Sequence, residues 1–278
     1  MTMKPYYLLL AGILTACSGN DVNTPSTPPV DEYPCPAGEE YKLVWNDEFE
    51  GSSLNLTDWT VEVKPSGWVN DELQNYVSQV TPEGNRTITV SDGTLKITAL
   101  KENDKVYSGR IYGKVKQGWQ YAYVESRIKL PSGKGTWPAF WMLPVTDNLK
   151  WPYDGEIDIM EEVGADKDVV VSTIHCDAYN HVKGTQKSSK LSLPGAEGGF
   201  HVYGLEWTKD YIRTYVDGKP VLVFENDGMS DKSTWPFNTP FYVILNVAWG
   251  GGWGGYAGVD ESALPITMEV DYVRVWQK

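Results

Sequence analysis

Short segments in which hydrophobic and polar residues alternate dominate the chain, and a period of two predicts β-strands. The clearest is 120–130, where aromatic and charged residues alternate with small or aliphatic ones. Short glycine-containing turns, at 91–93 and 217–218, separate further segments of this kind. Residues 241–248 are almost wholly apolar and predict a strand buried on both faces. Many short strands joined by turns favour an all-β fold of two packed antiparallel sheets.

The candidate chemistry lies in residues 151–164, Trp-Pro-Tyr-Asp-Gly-Glu-Ile-Asp-Ile-Met-Glu-Glu-Val-Gly. Glu156 and Asp158 alternate with isoleucines, which predicts a half-buried strand with carboxylates along one face. Neighbouring carboxylates repel one another, so an acidic row lowers stability unless it has a use. Strict alternation would turn Glu161 to the aliphatic face. A one-residue bulge near Met160 would return it to the carboxylate face.

The outer pair of glutamates suits cleavage of a glycosidic bond. One carboxylate attacks the anomeric carbon, while the other protonates the departing oxygen and then activates water. Retaining chemistry needs the two carboxyl groups about 5–5.5 Å apart, whereas five residues of strand span about 16 Å. The two side chains must therefore lean towards each other across Asp158. An ordinary acidic, solvent-facing strand is the alternative, and the pattern alone leaves both open.

The run Glu-Ile-Asp-Ile-Met-Glu after Trp-Pro-x-x-Gly resembles the active-site strand of glycoside hydrolase family 16, in particular its laminarinase and licheninase-like β-glucanases. The similarity continues in order from about Tyr41 to Trp276. It implies a concanavalin-like β-jelly-roll sandwich of two antiparallel sheets with a concave cleft, and endo-hydrolysis of β-glucan with retained configuration. It also implies that Glu156 is the nucleophile, Glu161 the acid/base and Asp158 an assisting carboxylate. Glu162 should point away, because successive strand residues face opposite sides.

The same resemblance, and closeness to the acidic strand, indicate side chains that would contact the sugar. Tryptophan faces pack on sugar rings, and polar groups bind hydroxyls. The expected substrate contacts are Asn70, Arg110, Trp137, Trp141, Trp151, His175, Trp249 and Trp253. The resemblance places His175 close to the acid/base. Each contact also has a structural interpretation, as a loop cap, a salt bridge or a core residue.

No cofactor is expected for catalysis, and the three histidines show no metal-ligand spacing. The resemblance does imply a structural calcium ion, remote from the cleft. Its ligands would be the Glu48 region, the Gly93 carbonyl and Asp271. Calcium takes oxygen ligands and often keeps waters, so few protein groups suffice.

The N-terminal residues read as an export signal, and their apolar run is too short to span a membrane. The end of this signal, Leu-Thr-Ala-Cys, resembles a lipobox, in which Cys17 is lipidated; a plain secretory signal is the alternative. We therefore expect a signal peptide over 1–16, a lipidated tether over 17–38 and a catalytic domain over 39–278. The location would be a bacterial outer membrane or cell surface, held by the lipid only.

The other two cysteines, Cys35 and Cys176, allow two interpretations. An exported compartment permits a disulfide between them, and two unpaired buried thiols fit at least as well.

Composition narrows the partners. The net charge is −13 and lysine and arginine do not cluster, which excludes a nucleic-acid stripe and disfavours sulfated glycans. A monomer acting on a neutral glycan fits best. A non-catalytic glycan-binding module, an agar-type galactan hydrolase and a transglycosylase remain alternatives. The choice between β-1,3 and mixed β-1,3/1,4 linkages stays open.

Overall fold

The computed structural model describes residues 34–278, and almost every regular element among them is a β-strand. The strands are β1 (Lys42–Asp47), β2 (Trp59–Val61), β3 (Gln74–Tyr76), β4 (Ile88–Ser91), β5 (Thr94–Glu102), β6 (Lys105–Ser108), β7 (Arg110–Gly113), β8 (Tyr123–Lys129), β9 (Thr136–Pro144), β10 (Glu156–Glu161), β11 (Val169–His175), β12 (Lys187–Ser192), β13 (Phe200–Trp207), β14 (Tyr211–Val216), β15 (Lys219–Glu225), β16 (Phe241–Trp249) and β17 (Ile266–Gln277). A helical turn, α1 (Gly251–Gly254), and a 3₁₀ turn at Glu261–Ala263 complete the regular structure of this part of the chain.

These strands form two sheets. One has seven strands in the order β12-β11-β10-β9-β16-β7-β2. The other has ten, in the order β15-β14-β13-β8-β17-β5-β6-β3, with β1 beside β17 and β4 beside β5. Neighbouring strands are antiparallel except β3 and β6, which run parallel. The predicted all-β architecture of two sheets is confirmed, with this one parallel pair as the difference.

One core fills the space between the two sheets. Phe140, Met142 and Ile157 of the seven-stranded sheet are fully buried in it, as are Val124 and Leu205 of the ten-stranded sheet. Successive strand residues point to opposite sides, so these apolar residues alternate with residues on the outer faces. The seven-stranded sheet thus buries its aliphatic side chains and keeps its other face for polar and aromatic ones. We call that outward surface the site face.

The folded domain begins earlier than its predicted boundary at residue 39. Cys35 and Ala37, which the sequence assigned to the tether, pack against a small cluster of Tyr41, Tyr123 and Trp276. The predicted signal peptide and the lipidated Cys17 lie outside the described residues. Within 34–278, no helix is both long and apolar enough to cross a membrane.

Of the two interpretations of the remaining cysteines, the unpaired one holds. Cys176 lies in the large core and Cys35 beside the small cluster, and both thiols are free.

Candidate active site

The three predicted carboxylates lie on β10, the third strand from one edge of the seven-stranded sheet. Asp158 pairs with Trp141, and Met160 pairs with the adjacent residue of β9, Phe140. Ile159 is therefore an extra residue in the ladder. The predicted bulge near Met160 is confirmed. Because a bulge shifts the alternation by one residue, it returns Glu161 to the face that Glu156 and Asp158 share.

The neighbouring strand β9 presents two tryptophans to the same face. The Trp137 Nε1–H group donates to Glu161 Oε1 at 2.9 Å. The Trp141 Nε1–H group donates to Asn246 Oδ1, on β16, at 2.7 Å. Each indole is thus fixed by its polar atom, and Trp137 also fixes the carboxyl group of Glu161.

Glu156 has an indole on one side and a histidine on the other. The Trp151 Nε1–H group donates to Glu156 Oε2 at 3.2 Å. His175, which pairs with Glu156 across β10 and β11, brings its Nε2 to 3.8 Å from Glu156 Oε1 and 3.3 Å from Asp158 Oδ2. The resemblance implied a histidine close to the acid/base. The structure places the His175 ring nearest Glu156 and Asp158, and close enough to Glu161 to lower its pKa.

Glu156, Asp158 and His175 also resemble metal ligands in type. One ligand atom from each lies within 4.8 Å of the others, the one such group of three within residues 34–278. Sequence spacing could not show this, because His175 arrives from the neighbouring strand. Cleavage by two carboxyl groups proceeds by proton transfer and nucleophilic attack, so the reaction needs no metal there.

Burial raises the pKa of every carboxyl group on β10's site face. The pKa values of Glu156 and Asp158 lie well above their ordinary range because both groups are buried; Asp158 raises that of Glu156 further, while His175 lowers it. Burial, then Asp158, raises the pKa of Glu161 to about 8, against the lowering effect of the Trp137 hydrogen bond. Adjacent buried carboxyls cannot all ionise together, so the group keeps protons at neutral pH. A protonated Glu161 beside an ionised Glu156 is the state that acid-assisted attack requires.

Arg110, on β7, lies over the rings of Trp141 and Trp68, which we call the aromatic floor of the site. Its guanidinium carbon is 4.7 Å from the centre of the Trp141 ring and 5.2 Å from that of Trp68. The Arg110 Nε–H group donates to the Tyr112 hydroxyl at 3.0 Å. Arg110 is therefore held by aromatic rings, as cation–π geometry favours, where the sequence had suggested either a sugar contact or a salt bridge.

The prediction that Trp249 contacts the substrate is wrong. Trp249 pairs with Thr136 and is fully buried in the core, while Ala248, one residue earlier, takes the position beside Trp137. Alternation along β16 continues to its last residue and turns this indole inward. Trp253, on α1, does reach the site face and packs edge-to-face on Trp137, with ring centres 5.4 Å apart.

Three side chains of the site were missed by the sequence reading: Glu72, His181 and Asn246. Asn70 is exposed, and its Nδ2 donates to Glu72 Oε1 at 3.1 Å. The His181 ring centre lies 4.9 Å from that of Trp151. Glu72 was within reach of sequence reasoning, because it follows the predicted Asn70 by two residues. Nothing in the sequence indicated that His181 and Asn246 belong to the site, because only the folded loop and the sheet register bring them there.

Glu162 is directed away from the site, as predicted. It is fully buried, and its Oε1 accepts a hydrogen bond from the Asp168 backbone N–H at 3.0 Å. Burial, followed by the nearby Glu197 carboxylate, raises the pKa of Glu162 to about 8.

The carboxylates predicted to bind calcium are engaged in ion pairs. Both oxygens of Glu48 accept from Arg274, at 2.9 and 2.8 Å. Asp271 Oδ2 accepts from Arg127 at 2.7 Å. Paired carboxylates of this kind do not fit a ready side-chain cage for calcium. The calcium ion stays a prediction, and no catalytic step depends on it.

Two half-buried glutamates, each fixed by an indole N–H, thus share one face with a buried carboxyl between them, above an aromatic floor. This fold and this site define a two-carboxylate glycoside hydrolase.

Comparison with known proteins gives the family. The family description "Glycosyl hydrolases family 16" matches residues 75–274, and the chain belongs to this family. It is 44% identical over 248 residues to a β-glucanase of Rhodothermus marinus, covering 85% of each chain. It is 35% identical to glucan endo-1,3-β-glucosidase A1 of Niallia circulans, over 87% of this chain but only 39% of that protein. Among solved structures, SCLam, a non-specific endo-β-1,3(4)-glucanase, matches with a TM-score of 0.81 at 44% identity, covering 87% of this chain and 92% of that one.

Proposed function

We propose that the protein is an endo-β-glucanase that hydrolyses β-1,3-linked and mixed-linkage β-1,3/1,4-glucans with retained anomeric configuration. The observation that carries the proposal is the bulge in β10, which aligns Glu156, Asp158 and Glu161 on one face. A non-catalytic binding module would have no use for three clustered carboxyls whose pKa values are raised by burial and, for the two glutamates, by Asp158. The Rhodothermus marinus relative and SCLam, each 44% identical and matching over most of the folded domain, are named as a β-glucanase and an endo-β-1,3(4)-glucanase.

In the first step, a Glu156 oxygen attacks the anomeric carbon while the bond to the leaving oxygen breaks. The Glu161 carboxyl gives its proton to that oxygen, so a glycosyl ester on Glu156 and a shortened glucan are produced. In the second step, the ionised Glu161 takes a proton from water, whose oxygen attacks the same carbon and releases Glu156. Two inversions at one carbon restore the starting configuration.

Three neighbouring side chains support this sequence. The Trp151 N–H group holds Glu156 by a hydrogen bond of 3.2 Å, and that of Trp137 holds Glu161 by one of 2.9 Å. Asp158 lies between the two glutamates; burial, and then the proximity of Asp158, raise the pKa of Glu161, so Glu161 holds the proton that it transfers to the glycosidic oxygen.

The test is release of oligosaccharides from laminarin, barley mixed-linkage glucan, cellulose and agarose, in parallel with Glu156→Gln. We expect cleavage of the first two substrates, with β-anomeric products detected by NMR, and its loss in the variant. Binding without cleavage by the wild-type protein would overturn the catalytic assignment. Cleavage of agarose alone would keep the mechanism and overturn the substrate. Transfer to added oligosaccharide acceptors in place of hydrolysis would identify a transglycosylase.

We also propose that the protein is exported and anchored through a lipid on Cys17. The support is the Leu-Thr-Ala-Cys run after a short apolar segment. In a bacterial host, the full chain should fractionate with membranes and Cys17→Ser should not. Equal fractionation of the two proteins would contradict the lipid anchor.

A further inference from the structure

A buried carboxylate, Glu72, lies beneath the site and belongs to no step of the reaction above. Its side chain is only 6% exposed. Three donors converge on it: Asn70 Nδ2 at 3.1 Å, Gln74 Nε2 at 2.6 Å and the Tyr76 hydroxyl at 3.3 Å. A buried carboxylate with this many donors is a fixed anchor, since charge-assisted hydrogen bonds are the strong ones.

The direction of these hydrogen bonds is set by the backbone next to them. Gln74 Oε1 accepts from the Trp249 backbone N–H at 2.7 Å, so the amide of Gln74 must turn its NH₂ group towards Glu72. The Leu73 N–H group donates to the Trp249 carbonyl at 2.9 Å, which ties the same segment to the end of β16. The group opposite Gln74 Nε2 must therefore be a hydrogen-bond acceptor, such as a carboxylate oxygen.

From Glu72, a chain of hydrogen bonds runs to the aromatic floor. The Tyr76 hydroxyl donates to Glu72 and accepts from Asn246 Nδ2 at 3.2 Å. Asn246 Oδ1 in turn accepts from Trp141 Nε1 at 2.7 Å. Glu72 thus connects the Asn70 loop with the Trp141 indole, although the two come from distant parts of the chain.

We propose that Glu72 is a positioning residue for the proposed glucan hydrolysis, orienting Asn70 on one side and Trp141 on the other for sugar binding. This inference rests on the proposed function. Asn70 donates a hydrogen bond to Glu72 through its Nδ2, which leaves its Oδ1 as an acceptor for a sugar hydroxyl. Glu72 has a second, electrostatic effect: after burial and Asp158, its charge also raises the pKa of Glu161.

The test is Glu72→Gln, which keeps the shape and removes the charge. Its new NH₂ group must face either Asn70 Nδ2 or Gln74 Nε2, so at least one donor loses its partner. We expect KM for laminarin to rise about tenfold with a smaller change in kcat, the effect of losing one charged hydrogen bond. The alkaline side of the kcat profile should move to lower pH by a few tenths of a unit, because Glu161 loses a neighbouring negative charge.

The matched control is Glu206→Gln, which alters a carboxylate that accepts from the Tyr211 and Tyr215 hydroxyls at 2.7 and 3.0 Å on the ten-stranded sheet. It should change neither KM nor the pH profile. A Glu72→Gln protein that only melts earlier, with KM and the pH profile unchanged, would show that Glu72 is structural and overturn the proposal.

If Glu72→Gln does not fold, Tyr76→Phe tests the same chain of hydrogen bonds. It removes only the hydroxyl between Glu72 and Asn246, and KM should rise severalfold; an unchanged KM would overturn the proposal. If the wild-type protein fails to hydrolyse laminarin, the proposed function fails. Calorimetric binding of a laminarin oligosaccharide then reports on Glu72 separately, and equal affinities of wild type and variant would overturn its role.

Discussion

Glu161, the proposed acid, can act only while it holds a proton, and its surroundings set the pH at which that proton leaves. Burial and Asp158 raise its pKa to about 8, so ionisation on the alkaline side removes the acid needed for the first step. We expect kcat to fall with an apparent pKa near 8 when it is measured on laminarin oligosaccharides from pH 5 to 10. A fall near pH 5 would contradict this environment for Glu161.

The indole of Trp137 adjusts that pKa in the opposite direction. Its N–H group donates to Glu161 at 2.9 Å and favours the ionised form. In Trp137→Phe the ionised form loses this donor, so the alkaline side of the kcat profile should shift to higher pH by about half a unit to one unit. Trp141→Phe is the control, because its N–H group serves Asn246 and no carboxyl. A shift in the control, or none in Trp137→Phe, would refute the assignment.

Glu162 illustrates a carboxyl that lowers stability at neutral pH. Its folded-state pKa of about 8 exceeds an unfolded value of about 4.3, so folding binds a proton and stability is lost as pH rises between these values. Glutamine does not titrate and can still accept from Asp168. Calorimetry should show a Tm gain for Glu162→Gln of a few degrees at pH 8, and a smaller one at pH 5. Glu225→Gln, at an exposed carboxyl on β15, should show neither change.

At the scale of elements, the alignment of the carboxyl groups on β10 depends on one extra residue. Ile159 bulges out of the ladder with β9 and brings Glu161 back to the site face. Deleting Ile159 leaves Glu-Ile-Asp-Met-Glu, whose plain alternation keeps both glutamates on that face. Exchanging the last two residues of this shortened strand, to Glu-Ile-Asp-Glu-Met, turns the second glutamate towards the core.

We therefore expect measurable hydrolysis from the Ile159 deletion and a loss of at least about a thousandfold from its exchanged form, the size expected when acid catalysis is lost. Release of reducing sugar from laminarin measures both. Circular dichroism must show that both variants fold. Equal activities in the two folded variants would contradict the role of the bulge.

The loop after β16 shows where element boundaries matter. The sequence predicted that Trp249 and Trp253 would both contact the sugar. The strand continues to Trp249, and α1 follows, so the alternation of the strand determines the direction of Trp249 and the helical turn that of Trp253. A difference of one residue in where a strand ends decides whether a tryptophan is core or site.

At the scale of the whole molecule, charge sets what the protein can bind. The protein has a net charge of −13. It would bind a neutral glucan through aromatic rings and hydrogen bonds, which salt hardly screens. KM for laminarin should change less than about twofold between 0.05 and 0.5 M NaCl, since bound counterions are not released. A strong increase of KM with salt would point to an electrostatic substrate contact. Carboxymethylated laminarin serves as the comparison, because its repulsion should weaken as salt rises.

The sequence by itself determined the local features of this protein. Alternation predicted the strands and the polar and apolar faces of β10, glycine turns predicted the hairpins, and the misplaced Glu161 predicted the bulge. These features depend on neighbours within a few residues, so the chain carries them directly. The same holds for the identity of the two glutamates, because they share one strand.

Only the tertiary structure determined which residues from distant parts of the chain lie together at the site. His175 reaches Glu156 through the register of β10 with β11, and Asn246 connects Tyr76 with Trp141 through the register of β16 with β9. The raised pKa of Glu161 needs burial by neighbours from other parts of the chain, which only the fold brings to the site face. Register, burial and electrostatic coupling are properties of packed neighbours, and neighbours in space are set by the fold rather than by spacing along the chain.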